Sequence, residues 1–458
     1  MKKLIFFPIE IKSRELRPRL LMTLFALKKN FGCFVGDKQG ILRATKHFSP
    51  GTYFYKSMNH TDLDHITKIK KLNNDYLVLD EEGGFQYSST KELNKFITIR
   101  SSLTNVKLID KFFTWGVFDH TEWKKRYKDY SKKFKLLGSP RIDLWKDKII
   151  KSIYKNELVQ IQNKFKDNYI LIISSFITSK KELKKFNKVN EHWFKFRNKK
   201  ERQIEKKKNR SSLIFFKDYL NMINFISIHN PNINFIIRPH PSENINDWKK
   251  LTKNMKKNVH LSNDFDVTPW IYSSKFIIHN SSAVGLQTSA MNKNLITYRP
   301  KGFLYDRNYT NKFGIIVKDK KKLNTVIQSQ IKIKNIKNLN YKKLKSRLFN
   351  IDSNKLVSEQ IIKEINKSHR LNSKINFVNF IFLSFIYLLK DIMISFLSRF
   401  IKSSNGSFKT LRSTSEKIPG GIRKIEITNF FKDIAFYNKN VNIIKFCNNC
   451  FFIYRKSK

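Results

Sequence analysis

A chain of 458 residues holds two or three domains with full cores, and 40% apolar with 14% aromatic content excludes a disordered protein. The formal net charge of +55 calls for anionic partners. Nucleic acid is disfavoured among them, because Lys far outnumbers Arg, as an AT-rich coding bias produces, and the cations are spread along the chain rather than gathered on one module; an anionic lipid surface or an anionic substrate fits better.

The chain opens on "KLIFFPI" (3–9), which reads as a buried strand, although the basic start "MKK" has too short an apolar run behind it for a signal peptide. A helix is expected from Arg14 to Asn30, with Leu16, Leu20, Leu24 and Leu27 at helical spacing, and "CFVGD" (33–37) is the next strand. Strand, helix and strand within 37 residues open a parallel α/β domain. The pattern continues with "GTYFYKS" (51–57), a helix over 61–72, "DYLVLDEEGG" (75–84), "KFFTWG" (111–116), a helix over 119–131, and a short strand and turn in "FKLLGSPRIDLW" (134–145). A second half restarts at "NYILIISSF" (168–176). The stretch Lys180–Arg210 is strongly basic and reads as a solvated helix or loop, or else as a patch facing phosphates or headgroups. After a helix over 211–229 come "NINFIIRPHPS" (232–242), a helix over 248–256, a weak strand over 258–262 and a short helix over 268–274. A clean βαβ unit follows in "KFIIHNSSAVGLQTSAMNKNLITYRP" (275–300). Two Rossmann-like lobes are therefore expected, over 1–165 and 166–330, with parallel sheets facing a cleft.

From 331 to 458 the composition predicts a basic helical tail. Its run "INFVNFIFLSFIYLL" (375–389) is shorter than the roughly 18–20 residues a spanning helix wants. A helix in the membrane interface, a helix packed on the lobes and a true span all remain open. Cys447 and Cys450 form "CNNC" without a second ligand pair, so zinc is not expected, and three cysteines in all suit a reduced, cytoplasmic compartment.

Three clusters carry candidate chemistry, each at the C-terminal end of a predicted strand, where α/β sheets bind ligands. In Arg238-Pro-His240-Pro-Ser242-Glu243 two cations stand beside prolines that stiffen the backbone, an arrangement suited to phosphate oxygens; the bland reading pairs Arg238 with a carboxylate and buries His240 in a turn. In His279-Asn280-Ser281-Ser282 a serine caps a helix whose N–H groups face a phosphate, or simply caps it. Asp80-Glu81-Glu82-Gly83-Gly84 places carboxylates where a general base for a hydroxyl acceptor is needed, Glu82 being preferred because it adjoins the glycines, or else forms a plain surface turn. Arg14 and Glu15, at the first helix N-terminus, belong on the same side. Neither a dinucleotide fingerprint nor a P-loop is present.

The order of "FFPIEIKSRELRPRLL", "LVLDEEGG", "LLGSPRIDLW", "FIIRPHPSE" and "IIHNSSAVGLQTSAM" resembles bacterial surface carbohydrate biosynthesis proteins, a family similar to polyol-phosphate (CDP-glycerol type) transferases and capsule Kdo transferases. The resemblance covers about residues 1–330. It implies a GT-B-like fold, with acceptor on the first lobe and a nucleotide-activated donor on the second, and transfer without metal or cofactor. By the same carry-over Arg238, His240, Ser281 and Ser282, with the neighbouring His279, hold donor phosphates. Glu82 and His240 are the catalytic candidates, and Arg14, Glu15, Glu81 and Gly83 lie on the acceptor side. One departure is His279-Asn280, where relatives carry an acidic or aromatic residue before the serines. The expected protein is a glycosyl- or polyol-phosphate transferase, cytoplasmic and peripheral at the inner face of the cell membrane, acting on a lipid-linked or polysaccharide acceptor. The alternatives are a sugar-nucleotide epimerase of the same fold, and a non-catalytic basic scaffold.

Overall fold

The computed structural model describes residues 3–83, 87–166, 168–176, 178–184, 187, 199–240, 243–300, 308–330, 341–368, 373, 375–397, 417–434 and 441–455. The chain divides into two compact units: unit 1 is Met1–Phe85, Leu93–Ile153 and Lys345–Lys458, and unit 2 is Gln86–Glu92 and Tyr154–Leu344. Both are α/β, as expected.

Unit 1 holds β1 (Leu4–Ile9), β2 (Gly32–Asp37), β3 (Thr52–Tyr55), β4 (Asp75–Leu79), β5 (Lys111–Thr114) and β6 (Phe134–Leu136), all parallel in the order β2-β1-β3-β4-β5-β6. Every residue of β1 and β2 is buried. Strands covered on both faces read as continuous apolar runs rather than alternating ones, which is why "LIFF" was recognisable. Unit 2 holds β7 (Tyr169–Ile173), β8 (Asn234–Arg238), β9 (Val259–Leu261), β10 (Phe276–His279), β11 (Leu295–Tyr298) and β12 (Ile315–Val317). They form one parallel sheet in the order β12-β11-β10-β7-β8-β9. The helix Lys199–His229 covers it through Phe216, Tyr219, Met222, Ile223 and Ile226, all at most 2% exposed. This helix begins well before 211, and the central part of the basic stretch expected at 180–210 lies outside the described residues.

Two expectations are corrected. The second unit begins at Tyr154 rather than 166, because the helix Lys155–Phe165 packs against the helix Val267–Ser273 of unit 2. The C-terminal part is not a separate helical tail: it completes unit 1. The N–H of Phe349 donates to the Trp115 carbonyl (2.8 Å) and that of Phe118 to the Ser346 carbonyl (3.0 Å). The buried Asp143 carboxylate accepts the Val357 and Ser358 N–H groups, both at 2.8 Å, at the start of the helix Val357–Ser368. Finally β13 (Val441–Cys447) and β14 (Cys450–Arg455) form an antiparallel hairpin, and β14 pairs antiparallel with β2. The "CNNC" motif is that hairpin's turn, with Asn449 at φ 57° and both thiols buried. Gly36 permits the docking: a Cβ there would sit 2.6 Å from the Asn449 carbonyl oxygen and the Cys450 Cα.

Candidate functional site

Each parallel sheet reverses its strand order once, and ligands of open α/β sheets bind outside the carboxyl ends of the strands at such a point. In unit 1 the reversal falls between β1 and β3, and in unit 2 between β7 and β10.

In unit 1, Pro8, Ile9, Glu10, Glu15, Lys38, Tyr55 and Lys56 line a recess of about 10 Å³ at this reversal, room for one water at most. Beside it the three consecutive carboxylates after β4 each meet a different arginine. Asp80 receives a two-pronged contact from Arg100 (Nε 3.0 Å, Nη2 2.7 Å), Glu81 pairs with Arg19 at 3.0 Å, and Glu82 pairs with Arg14 at 3.2 Å. The turn is fixed further by the Trp115 indole, which donates to the Asp80 carbonyl (2.7 Å), and by Gly83 at φ 56°.

Depth separates these groups. Arg19, Glu81 and Glu15 are wholly buried, whereas Glu82 is 45% exposed and Arg14 is partly so. Burial raises the Glu82 carboxyl, but Arg14, Arg100 and Lys56 outweigh it and hold the group below its ordinary range. Glu82 is therefore ionised and accessible. Glu15 differs: burial, with Glu81 nearby, pushes it up to about 7 against the pull of Arg14 and Arg19. One of its oxygens accepts the Glu10 N–H at 2.8 Å, fixing the exit of β1. Glu15 and Glu81 thus support the surface from beneath. Among the described residues, Arg14 Nε, Arg19 Nε, Glu15 Oε1 and Glu81 Oε2 are buried without a hydrogen-bond partner.

The sequence reading missed Arg19 and Arg100, which neutralise the acidic triplet, and Arg141. The Arg141 guanidinium lies 5.5 Å from the Trp115 ring centroid and has no ion pair among the described residues. Burial lowers its pKa, with Glu81, Glu82 and Glu15 pulling the other way. The motif "GSPRIDLW" marked the segment, but nothing in it distinguishes a cation facing a site from one facing solvent.

In unit 2, β8 and β10 flank β7, so their carboxyl ends stand two strand spacings apart, about 10 Å. Arg238 donates to the carbonyls of Asp264 (2.7 Å) and Phe265 (2.5 Å), in the loop after β9, on the opposite flank of β8 from β10. Burial pulls its pKa down to about 10, with Asp266 and Asp264 opposing, so it is a cation at neutral pH. His240 is exposed at the end of the segment. Pro241 and Ser242 lie outside the described residues. Glu243 turns inward and accepts from Ser174 Oγ (2.9 Å), the Phe176 N–H (2.5 Å) and Trp248 Nε1 (2.8 Å), tying the exit of β7 to that of β8. Burial pushes it up to about 7 despite these donors.

At the end of β10, His279 is fully buried, its Nε2 2.9 Å from Thr297 Oγ1 and its ring against Gly285, where a Cβ would come within 2.4 Å. Burial lowers its pKa to about 3, so it is a neutral core residue and not a cation meeting phosphate. Ser281 adopts φ 54° and is held by Asn311, whose Oδ1 accepts its N–H (2.8 Å), and by Asn308, which donates to its carbonyl (2.6 Å). Its hydroxyl donates to Asn280 Oδ1 at 3.0 Å, and the buried Asn280 Nδ2 has no hydrogen-bond partner among the described residues. Ser282 Oγ accepts the Val284 N–H at 3.2 Å, opening the seven-residue helix Val284–Ala290. Arg238 and the serines thus share a sheet edge, but the guanidinium turns to another loop rather than toward them. Among the described residues no group of three or more His, Cys, Asp and Glu side chains is arranged to hold a metal ion.

No family model and no curated protein matches the chain. Among solved structures it is similar to the wall teichoic acid polymerase TagF (H548A variant), at 11% identity over 80% of this chain and 89% of that one, TM-score 0.49. It is also similar to the UDP-GlcNAc 2-epimerase of Neisseria meningitidis bound to UDP-GlcNAc, at 12% identity over 80% and 100%, TM-score 0.46. The UDP-GlcNAc 2-epimerase of Methanocaldococcus jannaschii, in complex with UDP-GlcNAc and UDP, is 14% identical over 80% and 100%, TM-score 0.45.

Proposed function

We propose that the chain is a GT-B-type glycosyl- or polyol-phosphate transferase of cell-surface polysaccharide synthesis. In this reading unit 2 takes a nucleotide-activated donor and unit 1 a hydroxyl acceptor, lipid-linked or polymeric, at the inner face of the membrane. The observation that carries the reading is the reversal of strand order between β7 and β10, with the polar junction Asn280-Ser281-Ser282 standing on it.

Unit 1 supplies a complementary argument. Glu82 is an exposed carboxylate kept ionised by Arg14, which suits a base that takes a proton from the acceptor hydroxyl. The acceptor oxygen then bonds to the donor carbon or phosphorus, the bond to the nucleotide phosphate oxygen breaks, and negative charge develops on that phosphate. Within unit 2 taken by itself, His240 and the Ser281–Ser282 segment are the groups offered to a donor phosphate, and Arg238 acts one step back by positioning the 264–265 loop. Arg141 orients an anionic group of the acceptor. The reaction in this form calls for no metal or cofactor.

Melting of the purified chain with CDP-, UDP-, CMP- and GDP-linked compounds tests the reading. A true donor at about 100 times its Kd stabilises by about 2.7 kcal/mol. If no nucleotide shifts the transition, the transferase reading fails. An epimerase would need a carboxylate at the nucleotide, and at this edge Glu243 is engaged by Ser174, Phe176 and Trp248, Asp264 by Ser262, and Asp266 by Thr268 and Tyr154. The assay separates the two, since an epimerase interconverts its nucleotide sugar alone whereas a transferase releases nucleotide only when acceptor is added. A scaffold predicts that Arg238→Ala and His240→Ala leave the cellular phenotype intact.

A further inference from the structure

Among the described residues, the helix Phe377–Leu397 is attached to unit 1 through one face. On that face Phe380 is fully buried, its ring centroid 5.5–6.3 Å from those of Phe34, Phe48, Phe446 and Phe452. Farther along, Tyr387 Oη lies 2.7 Å from His47 Nε2, and Asp391 pairs with Arg43 at 2.7 Å and accepts the Asn448 N–H at 2.9 Å. Phe380, Ser384, Tyr387 and Asp391 follow one another at helical spacing on the attached face, while Asn379, Lys390 and Ser395 are exposed.

The opposite stripe is Val378, Phe382, Phe385, Leu389, Met393 and Phe396, between 46% and 79% exposed. A surface helix of a soluble protein shows the reverse, apolar inward and polar outward. The chain's cations lie close by in sequence: Lys363, Lys367 and Lys374 before the helix, Arg399 and Lys402 after it.

We infer that this outward face is a lipid-docking surface that lies flat in the interfacial layer of an anionic bilayer. Charge selects the occupant. Two copies of a chain with net charge +55 repel one another, whereas an anionic leaflet attracts it. Packing selects the orientation. The helix is long and apolar enough to cross a membrane, but crossing would withdraw Phe380 from its four rings and carry Asp391 away from Arg43 into hydrocarbon. Lying flat preserves both contacts and buries the exposed stripe. The inference stands independently of what unit 2 binds.

Flotation of the full chain with phosphatidylcholine vesicles, with and without about one third phosphatidylglycerol, tests it. The chain is expected to float with the anionic vesicles. The triple variant Phe382→Gln, Phe385→Gln, Leu389→Gln is expected to lose at least about 100-fold in partitioning, with an unchanged melting transition because these side chains point outward. Depth-sensitive fluorophores on Val378→Cys and Leu389→Cys, with the native thiols buried, should report equal shallow depths. The inference is overturned if the unaltered chain ignores anionic vesicles, or if the triple variant floats equally well. It is also overturned if Leu389 reads at the bilayer centre, which means a span, or if the triple variant abolishes a dimer that never bound lipid, which means a second copy. Should the triple variant misfold, the two labelled single variants still decide between flat and spanning.

Discussion

Asp80, Glu81 and Glu82 would repel one another as bare neighbours, and the three arginines that resolve this give each carboxylate a different character. The Arg19–Glu81 pair is buried on both sides. Glu81→Gln leaves a buried guanidinium without its counter-charge and should cost about 3 kcal/mol, read as a lowered urea midpoint. Glu82 shows the effect on reactivity. Arg14→Gln removes the leading attraction that holds it low and leaves burial unopposed by that partner. The acidic limb of acceptor-dependent turnover should therefore move to higher pH; an unmoved limb rules Glu82 out as the base. Glu243 carries a pH dependence of stability. Its folded pKa of about 7 lies above the ordinary 4.5, so its contribution is complete below about 4.5 and lost as pH rises through 7. Glu243→Gln should flatten the fall in stability between pH 5 and pH 8, measured by denaturant melts at both. A curve as steep as the parent's would show the titration resides elsewhere, with Glu15 and Asp119, both also raised to about 7, and Asp143, raised to about 6, among the other buried carboxyls in that window. At this scale the sequence was legible as composition only. Which carboxylate is submerged depends on partners as distant as Arg100 and Arg19, and His279 looked like a ligand because its burial against Gly285 leaves no local mark.

Elements were far more legible. Strands β1, β2, β4, β7, β8, β10 and β11 stood out as apolar runs because parallel strands bury both faces, and the helices between them repeat at helical spacing. The hairpin β13–β14 escaped notice: "VNIIKFCNNCFFIYR" mixes Lys and Asn into its strands, and its turn read as an isolated cysteine pair. Its turn chemistry is nonetheless sound, since Asn tolerates the left-handed conformation that Asn449 adopts. Docking depends on Gly36. Gly36→Val forces the Asn449–Cys450 backbone away from β2 and should destabilise unit 1 by about 2 kcal/mol, visible as faster hydrogen exchange across β14 than across β3.

For the molecule as a whole, the alternation of strands and helices declared two α/β units, but not that the last hundred residues return to the first. Pairing of Cys33 with Ile453 closes the longest loop in the sheet, and nothing local in either segment announces it. That pairing sets an order on synthesis. When β2 leaves the ribosome its outer edge has no partner, and some 420 residues separate it from the strand that will cover it. At about 5–20 residues per second that is roughly 20 to 80 s of translation. Unit 2, whose main segment is continuous from Tyr154 to Leu344, has all six of its strands by then. Nascent chains arrested after Asn440 should accordingly yield a protease-resistant unit 2 beside a cleavable unit 1, and resistance of both would show that unit 1 closes without its hairpin. Until then β2 is a bare strand edge in a crowded cytosol, the kind of surface that aggregates or recruits a chaperone. The first strands to be made are among the last to be secured.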